Sequence, residues 1–170
     1  MITLSIGCTW DGRELPAELV AQVTIHPAAD GLRIEVDAPF HGDPAPPGPP
    51  GPTPKLWEHE VVEVFAADAD RRDHYLEVEL SPHGHHLVLQ LEGVRVPVAQ
   101  GLPLSYTAQR RGPRWSGTAH VPGHLLPGRR LAINAVAVWG TGSRTYASHV
   151  PLPGSAPDFH QPERFAVRWP

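Results

Sequence analysis

Apolar and polar residues alternate with a period of two along most of this chain, the pattern of strands with one buried face. Ala21-Gln22-Val23-Thr24-Ile25 and Leu32-Arg33-Ile34-Glu35-Val36 alternate on either side of a Pro27–Gly31 turn and predict a first hairpin, with Met1–Ile6 as an edge strand. Strand-like runs follow at Glu60–Ala66, His74–Ser81, His86–Leu91 and Val94–Val96, punctuated by the Pro82-His83-Gly84 and Glu92-Gly93 turns. Leu104–Arg110 and Arg114–Val121 read as a hairpin around Gly112–Pro113; Leu131–Trp139, Arg144–Val150 and a closing Phe165–Trp169 complete the set. No window of helical length keeps apolar residues at spacings of three and four. About ten short antiparallel strands with Gly/Pro turns predict an all-β sandwich, one domain over residues 1–170.

Alternation also assigns faces. Val62 and Val64, then Leu76, Val78 and Leu80, are the natural core rows, which turns Glu63, Tyr75, Glu77 and Glu79 the other way. Trp57 and His59 share the parity of Glu63 if that strand extends back to them. In the next strand Leu87, Leu89 and Leu91 read as inward, leaving His86, Val88 and Gln90 outward. Either Ile133, Ala135, Ala137 and Trp139 or the alternate set Asn134, Val136 and Val138 can face the core, and a buried Trp139 is the simpler reading. A sheet face with three carboxylates is, on alternation alone, a solvated polar face. Beside Trp57 it is also an aromatic platform next to hydrogen-bond acceptors, a combination suited to a polyhydroxylated ligand, with Arg144 as a partner for the acids.

Composition narrows the classes. Hydrophobic residues make up 41% of 170, ordinary for a globular protein. The net charge is -4 and no basic stripe exists, which argues against nucleic-acid binding. Neither a signal-peptide pattern nor a bilayer-length apolar run occurs, so the expected location is cytoplasmic and no membrane partner is expected. The single cysteine, Cys8, reads as a half-buried strand residue. The 21 prolines favour short strands and loops. Residues 43–54, DPAPPGPPGPTP, form a stiff surface loop able to rim a site.

Three segments, LWEHEVVEVF, YLEVELSPHGHHLVL and PDFHQPERF, resemble the DOMON-like domains related to family 9 carbohydrate-binding modules, in an uncharacterised intracellular branch. The resemblance implies a jelly-roll or immunoglobulin-like sandwich with one ligand face. It makes Trp57 the first of two aromatic walls and Glu63 an acid that bonds sugar hydroxyls. Where the modules carry a second Trp, this chain offers Phe159; where they carry an Arg on the Tyr-rich strand, it has Glu77 or Glu79. Some DOMON relatives bind haem through Met and His, and the only methionine here is Met1.

The resulting expectation is non-catalytic binding of a sugar-like ligand by Trp57, Glu63, Tyr75, Glu77, Glu79 and Phe159, with no catalytic residue, no metal ligand and no cofactor assigned. Related modules hold structural calcium, for which Asp68, Asp70 and Asp73 are the candidates here, with no EF-hand Gly or bidentate Glu placed beside them. The alternatives are a protein-interaction module using the same face, and a glycoside-type hydrolase using Glu63 and Glu77. His83 and His85 have a metal-like spacing but sit in a turn. No G-x-S-x-G motif occurs, and Gly140-Thr141-Gly142 reads as a hairpin turn.

Overall fold

The structure is a computed structural model and describes residues 1–169. It is all-β, with two antiparallel sheets packed as a sandwich. One sheet joins β1 (Ile2–Ile6), β3 (Ala21–Ala28), β4 (Gly31–Pro39), β10 (Arg114–Pro122) and β9 (Ser105–Arg111), in that spatial order. The other runs β2 (Cys8–Thr9), β12 (Thr145–Ser148), β11 (Leu131–Trp139), β5 (Val61–Asp68), β6 (His74–Leu80), β7 (His86–Glu92) and β8 (Pro97–Gln100), with β13 (Val167–Trp169) also on β11. Thirteen strands are described where about ten were expected; the extra ones are short edge pieces, β2 and β8 among them. Among the described residues no helix is long and apolar enough to cross a membrane.

The core between the sheets is built from the rows that alternation marks. Leu4, Ile6, Val23, Ile25, Ile34 and Val36 meet Val62, Val64, Leu76, Val78, Leu80 and Ile133. The first hairpin forms with Ile25 opposite Ile34. Cys8 is half-buried on β2 and its thiol donates to the Ser148 carbonyl, as expected of a strand residue.

The outer face of the eight-stranded sheet departs from expectation. It is not solvated. A second apolar cluster, including Leu56, Phe65, Tyr75, Leu89, Leu91, Val136, Phe159 and Phe165, covers it. Both rows of β11 are therefore buried, and the choice between the Ile133 and Val136 rows dissolves: one faces the other sheet, the other faces the second cluster. Trp139 is buried and stacks on His41 with ring centroids 4.2 Å apart.

Two assignments from alternation need correction. In β7, Val88 faces the inter-sheet core, while Leu87, Leu89 and Leu91 share the face of Glu77, because Glu77 pairs with Leu89 and Val78 with Val88. With both faces covered, the more apolar row no longer marks the inside. Gln90 is accommodated on the inner side by donating to the Leu125 carbonyl. Residues 94–96 form a turn rather than a strand: Gly93 and Arg95 adopt left-handed φ values of 98° and 61°, and Val96 N–H bonds back to Gly93.

Gly31 illustrates how tightly the first hairpin abuts β10. Its φ is 154°, and an added Cβ would stand 2.0 Å from the Val121 carbonyl oxygen and 2.7 Å from Gly123 N. Gly31→Ala is therefore expected to lower unfolding stability by more than about 1 kcal/mol, measured by urea denaturation.

Candidate ligand-binding site

A cavity of about 490 Å³ opens on the outer face of the eight-stranded sheet. Glu63 on β5 and Glu77 on β6 contribute to its floor, with Leu89 and Leu91 from β7 and Val138 from β11. Trp57 and the Pro157–His160 segment line it from the covering loops, and Tyr146 lines it from β12. Four of the six sequence-predicted residues, Trp57, Glu63, Glu77 and Phe159, thus line one space. Tyr75 and Glu79 do not; both are buried behind it. The Pro-rich loop contributes nothing to the cavity. It packs instead against the start of β7, where Pro52 bridges His86.

Trp57 sits on a single 3-10 turn, Leu56–Glu58, and not on an extension of β5. The turn is entered through Lys55 in a left-handed conformation. It is held from below by Arg144, whose guanidinium donates to the carbonyl oxygens of Trp57 (3.2 Å), Glu58 and His59 (2.7 Å). Leu56 is buried and anchors the turn, which leaves Trp57 43% exposed at the rim. Arg144 therefore fixes the aromatic wall rather than neutralising the acids by direct bonds.

The opposite wall is tied by a chain of polar contacts. Tyr75 Oη accepts a hydrogen bond from the Arg95 backbone N–H (3.0 Å) and lies 2.9 Å from His160 Nδ1. Donation by the phenol makes Nδ1 the acceptor and puts the ring proton on Nε2, which stands 3.9 Å from a Glu77 carboxylate oxygen. Asp158 accepts from Arg95 (2.8 Å) and from the His160 backbone N–H (2.9 Å). Phe159 is held between these anchors and packs near Tyr146, ring centroids 6.2 Å apart.

The acids are the unusual feature. Glu63 and Glu79 are directly paired across β5 and β6, and Glu77 lies two residues along the same face. All three are almost fully buried, at 3%, 0% and 4% exposure for Glu63, Glu79 and Glu77. Neither carboxyl oxygen of Glu79 accepts a hydrogen bond from an N–H or hydroxyl group, and its carboxyl instead meets that of Glu77, a contact that needs a proton on one of the two acids. Burial pushes the Glu77 carboxyl up to about 7, with Arg95 pulling the other way. Burial and then the Glu77 charge push Glu63 well above the ordinary carboxylate range, partly offset by Arg144. Glu79 is raised by burial and by both neighbouring acids. Burial drives His160 down to about 4, so its ring is neutral near pH 7.

Other candidates lie elsewhere. His83 Nε2 bonds the Asp43 carbonyl and His85 Nδ1 lies 2.7 Å from the Thr53 hydroxyl, so the two serve the Pro-rich loop. Asp68 accepts from the Asp70 backbone, Asp70 pairs with Arg130, and Asp73 pairs with His74. Among the described residues no three His, Cys, Asp or Glu side chains are grouped so as to hold a metal ion. Arg95, Tyr146, Asp158 and His160 line the cavity without having been singled out. Asp158 and His160 lie inside the PDFHQPERF segment; Arg95 carries no sequence signal, because a left-handed turn residue delivers it.

No protein-family model matches the chain. A Danio rerio protein called UPF0462 protein C4orf33 homolog is 42% identical over 166 residues, covering 92% of this chain and 83% of that one. The Homo sapiens protein UPF0462 protein C4orf33 is 41% identical over 166 residues, covering 92% and 82%. The chain belongs to the UPF0462 family. Among solved structures, this UPF0462 chain resembles a candidate carbohydrate-binding protein from Bacteroides uniformis, with a TM-score of 0.70, 15% identity, and coverage of 86% and 76%. It also resembles a family 9 carbohydrate-binding module from Caldicellulosiruptor kristjanssonii solved with cellotriose, with a TM-score of 0.57, 12% identity, and coverage of 86% and 72%. At such identities the likeness is one of fold: the chain shares the β-sandwich of these two proteins.

The buried acids give a stability signature. A carboxyl whose folded-state pKa is raised binds its proton more tightly in the native state, so stability is highest below the unfolded value and falls as pH rises toward the folded value. For Glu77 that window runs from its ordinary 4.5 to about 7. His160, with its folded value depressed to about 4, acts oppositely and loses stability as pH falls from 6.5. Glu77→Gln is therefore expected to exceed the wild type in urea stability at about pH 8, by up to about 3 kcal/mol, and to lose most of that advantage at about pH 5.

Proposed function

We propose that the cavity binds a carbohydrate or similar polyhydroxylated small ligand without catalysis. The observation that carries this reading is the convergence of two aromatic walls, Trp57 and Phe159, on a floor that presents the buried acids Glu63 and Glu77 within one cavity of about 490 Å³. The apolar C–H faces of a sugar pack on aromatic rings, while its hydroxyls donate to carboxylates. The volume suits a mono- to trisaccharide-sized ligand. The sandwich shared with a cellotriose-bound module supports the same class, and the DOMON-like kinship suggested by the sequence belongs with it. A recessed cavity is also better matched to a small molecule than to a flat protein partner.

One observation favours a second reading. Glu77 has its carboxyl pushed up to about 7 inside a cleft, next to Glu63, which is the condition for a general acid. In that case the same pair serves a glycoside-type hydrolase.

Titration with cellotriose and a monosaccharide panel, followed by Trp fluorescence, tests the first reading. A saturable change is expected in the wild type and is lost in Trp57→Ala. The absence of binding at millimolar ligand rejects it. Glu77→Gln separates the two readings: retained binding together with loss of a measured glycosidase activity selects the hydrolase.

A further inference from the structure

The acids of the cavity floor have no directly bonded counter-charge; Arg95 and Arg144 act on Glu77 and Glu63 only through space. Glu58, Glu63, Glu77 and Asp158 line the cavity against only two guanidinium groups, Arg95 and Arg144. Both of these are committed. Arg95 pairs with Asp158 at 2.8 Å. Arg144 gives its N–H groups to the three carbonyls of the Trp57 turn. Glu58 stands at the exposed rim, 4.0 Å from Lys55 Nζ. What remains is Glu63 and Glu77, nearly sealed from bulk water yet lining the cavity, with Glu79 behind them. The His160 ring stands 3.9 Å from Glu77, beyond hydrogen-bond reach, and the hydrogen-bonding neighbour of Glu77 is another acid, Glu79, which brings no positive charge. A buried acid without a partner costs more than the paired group returns, so the floor is a place where a ligand's positive charge is worth most.

We propose that the cavity selects a polyol bearing a protonated amine, an amino sugar or hydroxylated amine, and seats its ammonium against Glu63 and Glu77. This rests on the polyol-binding reading above and narrows it to cationic members of that class. An ammonium carries three donors and no acceptor; seating it releases to solvent the protons that burial holds on Glu63 and Glu77 and leaves carboxylates that accept from it. Charge-assisted hydrogen bonds are roughly twice as strong as neutral ones, and more so where water is thinned out. The aromatic ring of Trp57 at the rim adds attraction for a cation as well as for C–H groups. An N-acetyl group abolishes the charge and fills the space the ammonium would occupy, so acetylated sugars are disfavoured twice over.

Calorimetric titration of the full chain at neutral pH decides the matter. The probes are the β-1,4 glucosamine trimer, its N-acetylated counterpart and cellotriose, three ligands of similar length that differ only in the C2 substituent of each ring. The glucosamine trimer is expected to bind about ten-fold tighter or better than the other two, and the advantage is expected to shrink at high salt. The Glu63→Gln, Glu77→Gln double variant is expected to bring all three to parity. Equal or tighter binding of cellotriose by the wild type overturns the cationic selection and leaves the polyol reading standing. Failure of all three probes at millimolar concentration overturns both. Should the double variant not fold, by circular dichroism, the wild-type ratio and its salt dependence decide alone.

Discussion

The structure depends on the double burial of the eight-stranded sheet. One face of β5, β6, β7 and β11 packs against the five-stranded sheet, and the other is roofed by the Leu56–Glu58 turn, the segment around Leu152 and Phe159, and Phe165. Antiparallel sheets usually leave one face to water. Here the roof turns an outer face into a second interior, and everything distinctive about the site follows from that. The glutamates that a solvated face would hydrate are held at low dielectric, where their protonation shifts and where an unpartnered oxygen costs about 1–3 kcal/mol.

The roof is held by polar ties more than by regular structure. Arg144 clamps the turn that carries Trp57, and Arg95, Tyr75 and His160 clamp the segment that carries Phe159. Arg72 reaches the Pro162 and Phe165 carbonyls, and Asn134 with Ser148 caps the bend at Val150. These groups satisfy loop backbone that would otherwise be buried without partners. Two clamps of different chemistry therefore set the positions of two aromatic walls above one acidic floor. The cavity is the space left between them, and its shape belongs to the roof, while its charge belongs to the sheet.

Most of the sandwich was legible from alternation because strand period and core burial coincide wherever a single face is buried. The first hairpin and the Val62, Val64, Leu76, Val78 and Leu80 rows are placed as expected. Alternation failed on β7 for the same physical reason that makes the site unusual. Once both faces are covered, Leu89 and Val88 are equally at home on either side, and only pairing register decides. Burial of the acids was equally hidden, since a Val-Glu-Val-Phe run reads the same whether its glutamate meets water or a roof.

Local residue order thus dictated the strands, their turns and the outward parity shared by Glu63, Tyr75, Glu77 and Glu79, because side-chain direction in a strand depends only on the backbone's two-residue period. Tertiary structure decided which outward residues see ligand space and which do not. Glu63 and Glu77 line the cavity, whereas Glu79 and Tyr75 are sealed behind it, because the roofing segments come from positions as distant as residues 57 and 159. Arg95 entered the site only through a left-handed turn at its own position. No period in the sequence encodes where such loops close, since their paths are set by long-range hydrogen bonds and by the apolar surface they cover.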